Sequence, residues 1–272
     1  MSLRIQNNLE AFNAHRQLVG SAGAMAKSME RLSSGFRINR AADDAAGLAI
    51  SEKLRAQVGG LQQAQRNAQD AVSLVQTAEG ALTEVHAMLQ RVRELAVQYS
   101  NGTLSASDKA AITSEVAQLS AEVTRIGSQT KFNGINLLTG GATITFQVGV
   151  ADGNTITTAA GVLAGGSTAD VDNAIFNFAS QGANVLASID TAIANVSETR
   201  STFGSIQNRL EHTLRDLASY EENLTASESR IRDVDMAAEM VTFTKFQILQ
   251  QAGTSMLAQA NAAPQSVLSL LR

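Results

Sequence analysis

From Ala45 to Tyr99 the sequence keeps one rhythm without a break. Apolar residues fall at Leu54, Val58, Leu61, Ala68, Val72, Val75, Leu82, Val85, Leu89, Val92, Ala96 and Tyr99. The steps are mostly three and four, the spacing of a single helix face. At about 1.5 Å per residue such a helix would run for roughly 80 Å. A helix of that length cannot cover its own stripe. Whatever fold the chain adopts must therefore supply long helical partners.

The segments on either side supply them. Residues 3–34 carry Ile5, Leu9, Phe12 and Val19, then Met25, Met29, Leu32 and Phe36 in a 4-3-4 rhythm that favours a coiled-coil seam. Ser33, Ser34 and Gly35 break this helix. Asn39, Asp43 and Asp44 are placed to cap and start the next one. Gly59 and Gly60 inside the long helix should cost about 1 kcal/mol each relative to Ala, and imply a close approach or a bend. Asn101-Gly102 ends the helix, and Ser107-Asp108 starts another with Ile112, Val116, Leu119, Val123 and Ile126 on one face. Lys131 to Gly141 reads as a loop. Residues 142–158 change to period two around Asp152-Gly153, which predicts one β-hairpin. Helix is expected to resume near Ala169. A second long stripe from Ile175 and Phe178 to Leu224 is the antiparallel partner of the first. The last helix carries Ile231, Met236, Met240, Phe243, Leu249, Met256 and Leu257, with no charged residue from Phe246 to Leu271. Such a helix is a liability in water unless other copies of the chain cover it. The expected fold is all-α, a long antiparallel helical rod or coiled coil with one small β-hairpin.

Composition narrows the function. With no Cys, 4% aromatic residues and a single Pro, Pro264, the chain suits long helices with narrow seams rather than a compact enzyme or a disulfide scaffold. The net charge of -4 carries no concentrated basic patch for nucleic acid, and no stretch suits a membrane span. Met1 to Glu10 lacks the apolar core of a secretory signal, so export is expected without a cleaved signal peptide. His15, His86 and His212 have no ligand-spaced partners, and Asp43-Asp44 reads as helix capping before cation binding. Gly140-Gly141 and Gly165-Gly166 lack the Lys-Ser/Thr of a phosphate loop. No catalytic residue, cofactor site or metal site is predicted.

The remaining candidates are surfaces. With Val92 at the centre of its stripe, Leu95 falls at the edge, and Arg91 and Gln98 lie just beyond it. Glu115 and Glu122 sit a heptad apart on the following helix. From the pattern alone, a solvated helix edge with weak ion pairs, under about 1 kcal/mol each, is favoured over a partner site.

At this point particular residues carry a resemblance. Arg31-Leu-Ser-Ser-Gly35, Asp43-Asp-Ala-Ala-Gly-Leu-Ala-Ile50, Ala64-Gln-Arg-Asn-Ala-Gln-Asp70, Ala78-Glu-Gly-Ala-Leu82, Leu89 to Gln98 and Phe132-Asn-Gly134 form one block. Gln207-Asn-Arg-Leu-Glu211, Glu222-Asn-Leu224, Ser229-Arg-Ile-Arg-Asp-Val-Asp235 and Met256-Leu-Ala-Gln-Ala-Asn261 form a second. Together they resemble bacterial flagellin, the filament subunit, in a short form without the variable outer domain. Val234 and Met236 depart mildly from the family's usual residues there. The resemblance implies paired terminal helices, 1–42 and 228–272, forming an inner tube, and a helical domain, 43–227, outside it with the hairpin at about 142–158.

It implies a structural, non-enzymatic subunit that polymerises with itself for swimming motility and resides in the extracellular filament. The expected polymerisation residues are Ile5, Leu9, Phe12, Phe243, Phe246, Leu249, Met256, Leu257, Leu268 and Leu271. Expected partners are the junction and cap proteins of the flagellum and an export chaperone on the C-terminal helix. The Toll-like receptor that senses flagellins would read Arg91, Leu95, Gln98 and Glu115, a face that other subunits cover in the filament. A hook–filament junction protein of the same family is the alternative.

Overall fold

The computed structural model describes residues 8–139, 143–159 and 185–270. Helix α1 spans Leu9–Ser34, α2 Ala45–Tyr99, α3 Ala106–Gln129, α4 Val185–Arg232 and α5 Met236–Leu270. Strands β1 (Lys131–Phe132) and β2 (Ile135–Asn136) form one antiparallel hairpin; β3 (Thr143–Gln147) and β4 (Thr155–Ala159) form another. The chain divides into two compact units, residues 57–222 and residues 1–56 with 223–272. The division falls inside α2 and α4.

In the unit of residues 57–222, the predicted stripe becomes the core. Leu61, Ala68, Val75, Leu82, Val85, Leu89, Val92 and Ala96 of α2 are buried. Across from them lie Ile189, Val196, Phe203, Ile206 and Leu210 of α4, with Ile112, Val116 and Val123 of α3. Ion pairs and hydrogen bonds give the register of α2 on α4. Arg93 meets Asp190 at 2.6 Å, Arg200 meets Glu79 at 3.9 Å, and Glu221 accepts from Gln62 at 2.7 Å and Gln65 at 2.8 Å. Rising numbers on one helix meet falling numbers on the other, so the two are antiparallel, as expected.

Local chemistry sets the ends of these elements. α3 begins at a capping box in which the Asp108 amide donates to Ser105 Oγ and the Ser105 amide donates to Asp108 Oδ2. The cap therefore lies two residues before the predicted start. The expected loop after α3 contains the extra hairpin. Its turn is Asn133-Gly134, with φ of 49° and 81°, the left-handed pair that suits a two-residue hairpin. One hairpin was expected and the described residues contain two, because strands of two residues carry no alternation to read. The two glycines of α2 part company. A Cβ on Gly60 would stand 3.0 Å from Val150 Cγ1 beside the β3–β4 turn, whereas nothing lies within 4 Å of Gly59. Close approach accounts for Gly60, and nothing in the structure explains Gly59. The expected helix between Ala169 and Asn184, including Ile175 and Phe178, lies outside the described residues.

The other unit is built around two antiparallel helices. Leu18 of α1 meets Gly253 of α5, and Ser28 Oγ donates to Glu239 Oε1 at 2.5 Å. α1 ends at Gly35, whose φ of 75° lets its amide reach Arg31 O at 2.9 Å. A short antiparallel clasp follows: Arg37 N donates to Arg232 O at 2.7 Å and Val234 N to Gly35 O at 3.0 Å. The Arg232 guanidinium sits 4.9 Å from the Phe36 ring centre and 2.6 Å from Glu52.

Of the three residues expected to cap α2, only Asp44 does so, accepting from Gly47 N at 2.9 Å. Asp43 turns the other way, accepting from Asn39 N and Arg40 N and pairing with Lys27 at 2.6 Å. Asn39 donates to Ser34 Oγ. Lys27, remote in sequence, draws Asp43 back towards α1.

Candidate assembly and partner surfaces

α5 has too many apolar sides for one partner. Glu239, Gly253 and Ala260 are among its residues that meet α1. Counting about 100° per residue round the helix, these three lie within about 60° of one another. Met236 and Met240 lie outside that arc, within about 40° of each other. Val241 and Ile248 come roughly 80–100° further round, and Leu249 and Met256 another 80° on. All six are exposed, Val241 at 71% and Met256 at 64%. No described side chain of α5 is buried, and α1 buries only Ser28. A helix that is apolar on every side is stable only when it is surrounded.

Eight of the ten predicted polymerisation residues fall on these helices. Leu9, Phe12, Leu249 and Met256 are exposed; Phe243, Phe246 and Leu257 are half-buried. Leu268 belongs to α5 with its side chain outside the described residues, and Ile5 and Leu271 lie wholly outside them. Val241 and Ile248, exposed at 71% and 59%, were missed because they fall out of phase with the seam.

Asn8 was also missed, and it joins the two helices. Its Oδ1 accepts from Ala11 N at 3.0 Å, capping α1, while its Nδ2 donates to Ala260 O at 2.8 Å. Ala260 lies four residues before Pro264, which runs within α5. Proline has no amide hydrogen for that carbonyl, so Asn8 fills the gap in the helix ladder. An Asn before the first helix and a lone Pro near the end of the last gave the signal, which only the pairing of the helices makes readable.

The second surface lies on α2 and α3. Arg91 donates from Nε and Nη2 to Glu115 Oε1, at 3.0 and 2.9 Å, and from Nη1 to Glu94 Oε2 at 3.2 Å. Glu115, then Glu94, hold the guanidinium's pKa above its usual value. The structure thus joins Arg91 to Glu115 across the two helices. Glu122 is drawn off by Arg125, one turn along its own helix. Gln98 is exposed.

Leu95 was expected at the edge of the stripe but is 2% exposed and belongs to the core. Both α3 and α4 pack on α2, so the buried arc is wider than one partner would make it. Beside this patch, Gln90, Arg93, Glu94, Val97, Asp190 and Ile193 line an open cleft between α2 and α4. Val97 at its rim is 53% exposed. Among the described residues no helix is long and apolar enough to cross a membrane.

One unit has a core of long helices, while in the other α1 buries only Ser28 and α5 buries no described side chain, the pattern of a subunit that other chains complete. Sequence comparison gives the family. The pattern of the bacterial flagellin N-terminal helical region matches residues 5–143, and that of the flagellin C-terminal helical region matches residues 186–271. The chain is 52% identical to a flagellin of Halalkalibacterium halodurans, over 98% of this chain and 99% of that one. It is 48% identical to a flagellin of Bacillus subtilis, over 99% of this chain and 100% of that one. A putative flagellar hook-associated protein of Vibrio parahaemolyticus shares the fold, with a TM-score of 0.57 at 17% identity over 70% of this chain and 100% of that one. The chain belongs to the bacterial flagellins. It is a structural subunit of the flagellar filament, and the hook-junction alternative has no better support.

Proposed function

We propose that α1 and α5 are the polymerising surface of this subunit and that the edge around Arg91 is a separate partner surface. The observation that carries the first part is the apolar circumference of α5, which α1 covers on one side only. In this reading the terminal segments, 1–42 and 228–272, form the inner tube, and residues 43–227 form the shell around it. Leu9, Phe12, Phe243, Phe246, Leu249, Met256 and Leu257 supply the contacts, joined by Ile5, Leu268 and Leu271. Before export a chaperone covers α5. The subunit leaves the cell through the flagellar export channel and meets the junction and cap proteins at the growing end. It works by assembly and not as an enzyme. Deleting residues 246–272 should leave a soluble, exportable protein that cannot polymerise. Normal filaments from that truncation would refute the assignment.

In the dissociated monomer, Arg91, Gln98 and Glu115 form a polar surface for the flagellin-sensing Toll-like receptor. Leu95 acts from beneath, holding the α2 backbone against the core. Exposed ion pairs are worth little, so Arg91 can exchange Glu115 for a receptor carboxylate at small cost. Arg91→Ala should weaken receptor activation by purified monomer; unchanged activation would remove the receptor from this reading.

A further inference from the structure

The chain has seven Met and no Cys, so thioethers are its only oxidisable sulfur. Met is ordinarily a core residue. Here Met29, Met236, Met240 and Met256 are 55%, 49%, 50% and 64% exposed. All four belong to the unit of residues 1–56 and 223–272. Met88, in the other unit, is half-buried against the core, and Met25 is half-buried on α1. Among the described residues, the accessible sulfurs therefore coincide with the helix faces that have no cover within the subunit.

We propose that these four methionines are an oxidation site that controls assembly, with hydroperoxides as the oxidant. The inference rests on the polymerising role assigned to α1 and α5. In each reaction the thioether sulfur attacks one peroxide oxygen. An S–O bond forms, the O–O bond breaks, and the departing hydroxide or alkoxide takes the proton from the oxygen now on sulfur, leaving as water or an alcohol. Sulfur is oxidised by two electrons, and the peroxide is reduced. The product is a sulfoxide, whose oxygen accepts hydrogen bonds where the thioether was apolar. Met236 and Met240 lie on one side of α5 and Met256 on nearly the opposite side, so oxidation makes two separate contact faces polar. A neighbouring subunit's apolar helix offers no donor to that oxygen. Once assembled, the same sulfurs are enclosed. The reaction thus acts on the free subunit and spares the filament. It is reversible: a methionine sulfoxide reductase with thiol as reductant returns the thioether, releasing water and a disulfide.

The test uses the purified full-length subunit and hydrogen peroxide. Mass spectrometry should show one added oxygen appearing at Met29, Met236, Met240 and Met256 about tenfold faster than at Met88. Seeded polymerisation of the oxidised subunit should need an about tenfold higher concentration, and reductase with thiol should restore it. The M29L/M236L/M240L/M256L variant should polymerise equally with and without peroxide. If that variant does not assemble, the four single Leu variants should each lose part of the peroxide sensitivity. Equal oxidation rates at Met88 and the four sites would overturn the proposal, as would undiminished polymerisation of the oxidised subunit. A different result would sink the polymerisation reading itself: equal oxidation of the four sulfurs in filaments and in free subunits, which would mean that assembly leaves them uncovered.

Discussion

Asn8 gives a sharp test of how the terminal helices hold together. Its two side-chain ends do different work, capping α1 through Oδ1 and serving the Ala260 carbonyl through Nδ2. Asn8→Asp keeps the capping oxygen and removes the amide donor. The Ala260 carbonyl, half-buried and opposite a residue with no amide hydrogen, then loses its partner, at a cost of about 1 kcal/mol. Asn8→Ala loses the cap as well, a further cost of about 1 kcal/mol. Together that is about 2 kcal/mol from a helix pair whose only buried α1 side chain is Ser28. Pro264→Ala returns the missing amide hydrogen, so Ala260 O regains a partner inside α5. In that background Asn8→Asp should cost almost nothing, while Asn8→Ala should still cost the cap. The assay is amide hydrogen exchange of α1 and α5 in the free subunit, run as a double-mutant cycle. Equal costs for Asn8→Asp with and without Pro264 would show that Asn8 and Pro264 are not coupled, and the reasoning would fail.

Other outcomes follow from the same structure. Lys27, with the amides of Arg40 and Asn39, lowers the Asp43 pKa to about 2. A carboxylate depressed in the folded state stabilises it fully above the unfolded value of about 4, and that contribution disappears as pH falls towards 2. Thermal melts of the free subunit should therefore show an acid-sensitive loss in this window that Asp43→Asn removes. Leu89→Ala, at a side chain with no exposure, should destabilise the unit of residues 57–222 by about 2–5 kcal/mol in urea unfolding. Gly35→Ala should cost about 1 kcal/mol, read by hydrogen exchange at the end of α1, because its φ of 75° strains any residue with a Cβ.

How much the sequence revealed depended on whether the cause was local. The α2 stripe was legible because a three-and-four rhythm over many turns has one structural meaning. Its breadth was not, since Leu95 is buried only because α3 and α4 both pack on α2. Asp43 and Asp44 look alike as helix-starting carboxylates; Lys27, on another helix, assigns them opposite directions. Asn133-Gly134 was read as part of a loop, because the strands it joins are too short to show a period. The residues of the candidate surface divided in the same way. Face arithmetic placed Arg91 and Glu115 each beside the apolar stripe of its own helix, and the packing of α2 on α3 brings them together. Glu94 and the Arg93–Asp190 pair needed the packed helices to become visible.

The two units differ in what completes them. Between residues 57 and 222, α2 meets α3 and α4, and its apolar stripe from Leu61 to Ala96 is largely covered within the chain, with Val97 exposed at the rim of the cleft. Between α1 and α5, pairing covers roughly one side of each helix, and α5 has apolar residues left over on the others. A dimer would cover one more side. Covering Met236, Val241 and Met256 together requires neighbours in at least two further directions, because these residues point about 60–160° apart. Only an array in which each helix has several neighbours satisfies that, and a tube of stacked subunits is such an array. The last charge before that stretch is Lys245, and none follows until Arg272. Placing one charged residue there, as in Leu249→Lys, should therefore abolish polymerisation while leaving the unit of residues 57–222 folded. Filaments of normal length from that variant would show that α5 has a free side in the assembly.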